Sequence, residues 1–71
     1  MKTIELKLRD EYIRLGQGLR AAGLVDTGAD AKFLIQDGEV SVNGETEYQR
    51  GKKLHGGDVV SFEGSVVKIV R

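Results

Sequence analysis

Few residues in this chain have the type and spacing for bond-making chemistry. Cysteine is absent, and the single histidine, His55, stands before Gly56-Gly57. Without a thiolate or a second imidazole, metal ligands would have to come from scattered carboxylates. Ser41, Ser61 and Ser65 have no histidine base within reach by sequence logic. Gly16-Gln17-Gly18 lacks the third glycine of a dinucleotide loop and falls within a helical pattern, not between strand and helix. His55, in a turn, is expected to be solvated. We therefore expect no enzyme, no cofactor, no metal and no small-molecule substrate. What remains is a set of cations: Arg14, Arg20, Lys32, Arg50, Lys52 and Lys53. Their chemistry is charge-assisted hydrogen bonding, above all to phosphate oxygens.

The elements that carry these cations follow from periodicity. Thr3 to Leu8 alternates, with Ile4, Leu6 and Leu8 on one side, which predicts a half-buried strand. Arg9-Asp10-Glu11 is a connector, with Asp10 placed to cap a following helix. Ile13 to Ala22 has helical spacing, with Leu15, Leu19 and Ala22 as its apolar stripe and Arg14 and Arg20 off it. Gly16 and Gly18 each cost such a helix about 0.5–1 kcal/mol relative to Ala. Either they are tolerated in a first turn, or another backbone approaches closely enough to compensate. Gly23 suits a left-handed C-terminal cap.

A second helix is predicted from Thr27 as N-cap, with Asp30 three residues on. Ala31, Leu34 and Ile35 form its buried stripe, Lys32 projects from a side left free, and Gly38 ends it. Phe33 faces nearly away from the stripe. It is expected to pack under a neighbouring segment such as the N-terminal strand, the alternative being an exposed ring that stacks on a base. From Glu39 the period changes to two. Val40 and Val42 point inward and Asn43-Gly44 is a strong hairpin signal. Glu45 to Tyr48 returns, Gln49 to Lys53 is a basic loop anchored by Leu54, and Gly56-Gly57 leads into Asp58–Phe62. Glu63-Gly64 turns the chain into a last strand, Ser65–Val70. The predicted class is α+β: two short helices packed on a small, mostly antiparallel sheet of about four to five strands.

The bulk composition limits the rest. Seventy-one residues make one domain, 1–71, too small for an enclosed catalytic cavity. Eleven basic and eleven acidic residues give zero net charge, which argues against indiscriminate polyanion binding. A local basic face remains compatible, because screening confines each charge to about 8–10 Å at physiological salt. Arg50, Lys52 and Lys53 lie close together, while Asp26, Asp30, Asp37, Glu39, Glu45 and Glu47 precede them. No apolar run reaches the roughly 20 residues of a membrane span, and the first residues lack a signal-peptide core. A soluble, cytoplasmic protein without a membrane partner is expected. If the helix pair packs beside the hairpin, cations from three elements converge, which would suit phosphates on a structured RNA recognised by shape.

The order of residues also resembles the S-four-type RNA-binding domain, or alpha-L motif. Arg14-Leu15, Leu19, Gly23, Thr27, Ala31, Leu34-Ile35, Gly38, Val40, Val42-Asn43-Gly44 and Gly57-Asp58 follow that family's pattern in step, over roughly residues 12 to 62. The match is most similar to small stand-alone bacterial members. It implies an RNA-binding, non-catalytic fold whose partner is structured, possibly ribosomal, RNA. By position its contacts would fall on Thr27 and Gly28, on Lys32 and on the basic residues after the hairpin. Two positions depart from the pattern: Gly16 stands where Asp is common, and Gly28 where Arg is. Loss of that arginine removes a strong phosphate ligand. The N-terminus of the second helix can still offer backbone N–H groups, against the opposing charge of Asp30.

Two other readings compete. Zero net charge and Gly28 suit a protein-interaction module on the same fold that has lost RNA. Val42-Asn43-Gly44-Glu45 and Gly57-Asp58-Val59-Val60 also resemble small ubiquitin-like sulfur carriers. Those end in Gly-Gly, however, whereas this sequence ends Ile69-Val70-Arg71, and the helix pair fits them poorly.

Overall fold

Alternating and helical stretches follow one another in the computed structural model, which describes residues 2–71. Strand β1 (Lys2–Lys7) leads to a two-residue strand β2 (Ile13–Arg14), then helices α1 (Leu15–Ala21) and α2 (Gly28–Gln36). Strands β3 (Val40–Val42), β4 (Glu45–Thr46), β5 (Lys53–Leu54), β6 (Val59–Phe62) and β7 (Ser65–Val70) complete the chain. Five strands form one mixed sheet in the order β1-β7-β6-β3-β4, and β2 pairs with β5 in a small second sheet. The α+β class and the helix pair agree with the sequence reading.

Register explains the core. Ile4, Val67, Val60 and Val42 are partners in successive strands and make an apolar row across the sheet. Leu15 and Leu19 from α1, Ala31 and Ile35 from α2, and Leu54 from β5 are buried in the same cluster. Ser41 and Ser61 pair on the opposite face. Both helices end in a glycine with φ near +78°. After α1 the Gly23 and Leu24 amides donate to Arg20 and Leu19, and after α2 those of Gly38 and Glu39 donate to Ile35 and Leu34. This double bond pattern closes both helix ends. Thr27 caps α2 as expected, its Oγ1 accepting from the Asp30 amide at 3.1 Å.

Three expectations are corrected and one is made specific. The stretch Ile13–Arg14 is extended, with Ile13 paired to Leu54 and Arg14 to Lys53, so α1 starts at Leu15. Asp10 does not cap it. The Leu15 amide donates to the Lys52 carbonyl at 2.8 Å and the Gly16 amide to that of Arg50 at 3.0 Å. The 49–52 loop thus satisfies two of the N–H groups that a helix start leaves open. Second, the sheet is mostly antiparallel as expected, and its one parallel pair is β1 with β7, a pairing the sequence does not specify. Third, the return strand after Asn43-Gly44 is only two residues long, and Glu47 then accepts from the Gln49 amide as the chain turns away. Fourth, Phe33 is not packed under a neighbouring segment; it is 64% exposed.

Gly16 shows why a glycine sits inside a helix. A Cβ there would lie 2.7 Å from Arg50 Cγ but 3.7 Å from the Arg50 carbonyl, so a side chain at this position would displace the Arg50 side chain and leave the loop backbone in place. Asn43 and Asp58 join the hairpin to the turn before β6. Asn43 Nδ2 donates to Asp58 Oδ1 at 3.0 Å, and the Val59 amide donates to Asn43 Oδ1 at 2.9 Å. The His55 amide donates to Asp58 Oδ2 at 2.7 Å, and this bond holds the Asp58 carboxyl below its ordinary range. Partial burial opposes the shift, while the Asn43 amide and the nearby His55 and Lys52 charges add to it.

Candidate nucleic-acid interface

The close approach of the 49–52 loop to α1 brings cations together that lie far apart in the sequence. Arg14, at the end of β2, reaches the loop: its Nη1 donates to the Gly51 carbonyl at 2.9 Å. Arg20 projects from the last turn of α1, where a cation also complements the helix dipole. Arg50 passes over Gly16. Arg14, Arg20, Arg50, Gly16, Gly51 and Gly28 line one open cleft of about 340 Å³, together with Gln17. All three arginines are exposed. Their planar forks match phosphate geometry better than lysine does.

Gly28 opens α2 on the wall of this cleft, and no heavy atom lies within 4 Å of where its Cβ would be. The position where the family pattern often has arginine is therefore open around its Cβ. Thr27 is exposed, but its hydroxyl serves the helix cap. Lys32 is exposed one turn further along α2, on the helix face that starts with Gly28. It does not line the cleft itself.

The basic loop divides. Arg50 turns to the arginine cleft, whereas Lys52 and Lys53 border a wider groove of about 730 Å³ that also holds Glu45, Glu47 and Asp58. Lys52 there contributes to the depressed pKa of Asp58. The six cations thus do not form one uniform patch.

Lys53 keeps a link to the arginines through a residue that sequence reasoning missed. Its Nζ lies 4.8 Å from the centroid of the Tyr12 ring, and Arg14 Cζ lies 5.7 Å from the same point. Both are within cation–π range. The His55 ring is tilted against Tyr12 at 6.1 Å. The available signal was the alternation of Tyr12 and Arg14 about Ile13, which places both on one side of an extended stretch. Among the described residues, no group of three or more His, Cys, Asp or Glu side chains is arranged to hold a metal ion. Among the same residues, no helix is long and apolar enough to cross a membrane.

Comparison with known proteins adds to this geometry. A family model described as the S4 domain matches residues 6–70. The probable ribosome maturation protein RlbA of Bacillus subtilis (strain 168) is 42% identical over 59 residues, covering 83% of each chain. YbcJ of Escherichia coli (strain K12) is 36% identical over 59 residues, covering 83% of this chain and 84% of its own. The solution structure of E. coli YbcJ, reported to reveal an alphaL motif involved in RNA-binding, superposes with a TM-score of 0.71 at 34% identity. It covers all of this chain and 89% of YbcJ. The 30S ribosomal protein S4e of Thermoplasma acidophilum shares the fold, with a TM-score of 0.67 at 24% identity over 82% of this chain and 31% of its own.

Proposed function

The chain belongs to the S4 domain family, and on that premise we propose that it binds structured, ribosomal RNA without catalysing a reaction on it. Three arginines from two neighbouring elements and a distant loop meet at the start of α2, and this convergence carries the reading. Guanidinium groups held there would grip backbone phosphates on a folded RNA, a mode that reads shape more than sequence. Lys32 extends the cationic surface along α2, and Lys53 continues it past Tyr12. The relatives support an RNA partner: one bears a ribosome-maturation name and another an RNA-binding motif. A cytoplasmic site of action follows from that partner.

Replacing Arg14, Arg20 and Arg50 together by Ala tests the assignment. Three lost charge-assisted contacts predict a fall in RNA affinity of about a hundredfold or more, with the folded spectrum retained. Undiminished binding by a folded triple variant would reject the site. Crosslinking in cells, followed by sequencing of the attached RNA, identifies the ligand.

The exposed Phe33 favours a second reading, a protein-interaction module from which RNA binding has been lost. Affinity capture with and without ribonuclease separates the two. RNA that co-purifies and partners that vanish with ribonuclease support the first. Partners that survive, with no RNA, support the second.

A further inference from the structure

Helix α2 has a second flank, and it is unlike the first. Successive helix residues are turned by about 100°, so Phe33 leaves the helix well away from Lys32 and Gly28. On that side a shallow groove of about 360 Å³ runs between the α1–α2 connection and the β6–β7 turn. Its apolar surface comes from Leu24, Leu34, Phe33 and Phe62, and its charges are Asp26, Asp30 and Glu63. No cation lines it. The Phe33 ring is 64% exposed, in a protein whose other described large apolar side chains, Tyr48 excepted, are at least partly covered.

We propose that this groove docks a cationic protein segment: a stretch rich in Lys and Arg that carries an apolar side chain to cover Phe33. An exposed aromatic ring offers a partner apolar area to bury, and aromatic side chains are enriched at protein interfaces. The carboxylates at its edge set the sign of the partner by charge complementarity. Asp26, Asp30 and Glu63 would repel RNA phosphates and anionic lipid headgroups, and would attract lysine and arginine. The proposal goes beyond the RNA reading. In it the two flanks of α2 serve two ligands of opposite charge, so a folded RNA and a basic protein segment are held at once on either side of one helix.

The test uses the full chain and a synthetic peptide alternating lysine or arginine with leucine and phenylalanine. A control peptide has glutamate at every basic position. Binding is followed by amide chemical shifts. The cationic peptide is expected to shift Leu24, Asp26, Phe33 and Glu63 and to leave the Arg14–Arg50 cleft unmoved. The acidic control is expected to shift none of the four groove residues. Phe33→Ser and the double change Asp26→Asn with Glu63→Gln are each expected to weaken the peptide about tenfold, while RNA retention is unchanged. Because Phe33 and Glu63 are exposed, neither variant removes a core contact.

The proposal is overturned if no groove shifts appear up to about 1 mM peptide, the weak end of specific affinity. Equal binding by the neutralised double variant overturns it too, as do shifts that map to the arginine cleft. Sedimentation that shows a Phe33-dependent dimer would assign the groove to a second copy of this chain instead. Failure of RNA binding in the triple arginine variant's parent would refute the RNA reading and leave these outcomes unaffected.

Discussion

The two flanks of α2 are built from the same helix and carry clefts of similar size, about 340 and 360 Å³, yet their charges have opposite signs. On one, Arg14, Arg20 and Arg50 surround Gly28, and every charge is positive. On the other, Phe33 and Leu34 are rimmed by Asp26, Asp30 and Glu63. A net charge of zero conceals this division. Charges of both signs are present in equal number, but a Debye length of about 8–10 Å lets each flank act separately. The sum over the sequence therefore says little about binding, and the sorting of charges by a single helix says much more.

The difference can be broken or sharpened by substitution. The largest effect on the scaffold is expected from Asp58→Ala, which removes the acceptor for the His55 amide and the Asn43 side chain and should cost about 2 kcal/mol in chemical denaturation. Neither flank loses a contact, so both binding activities should persist in the folded fraction. The same carboxyl gives a pH signature. Its pKa is lower when folded than when unfolded, so its contribution is complete above the unfolded value of about 3.8. That contribution is lost as pH falls through the lower folded value. Asp58→Asn should remove this acid-side component from a stability–pH curve.

Gly28→Arg should sharpen the cationic flank. No heavy atom lies within 4 Å of the missing Cβ, so a side chain can start there without a clash at its base. RNA affinity is expected to rise about tenfold, roughly the worth of one charge-assisted contact, measured by titration. Gly16→Ala acts in the opposite direction. The methyl would meet Arg50 Cγ and turn that side chain from its place in the cleft, with a helix-propensity gain of about 0.5–1 kcal/mol beside it. Stability should change by less than about 1 kcal/mol, while the RNA complex weakens several-fold. The smallest effect is that of Phe33→Ser on stability and on RNA binding. Stability should change by no more than about 0.5 kcal/mol, as for other exposed positions, and RNA affinity should be unchanged.

Most of the scaffold was legible because its signals are local. Ile4, Leu6 and Leu8 announce a strand, Leu15 and Leu19 a helix, and Asn43-Gly44 and Glu63-Gly64 their turns, with Asn43 and Glu63 both at positive φ as tight hairpins require. The pairing of β2 with β5 was not legible, since two residues carry too short a pattern and their partners are distant in the chain. It moved Ile13 and Arg14 out of the helix, and with them came the loop carbonyls that cap α1. The parallel partnership of β1 and β7 is non-local in the same way. At the site, the sequence picked out the cations but could not divide Arg50 from Lys52 and Lys53, because that depends on which way successive loop side chains turn. Tyr12 was overlooked because an aromatic next to Ile13 reads as core until two cations are found against its ring. Phe33 was read as covered because periodicity places it off the buried stripe without saying what lies above it.

The most direct test of the central claim is the salt dependence of RNA affinity in the parent protein and in the Arg14/Arg20/Arg50 triple alanine variant. Each phosphate contact contributes about 0.7 to 0.9 to the slope of log affinity against log salt. The cleft described above predicts a slope shallower by about 2 in the variant. Parallel lines of equal height for the two proteins would contradict it, because the phosphates would then be held somewhere else.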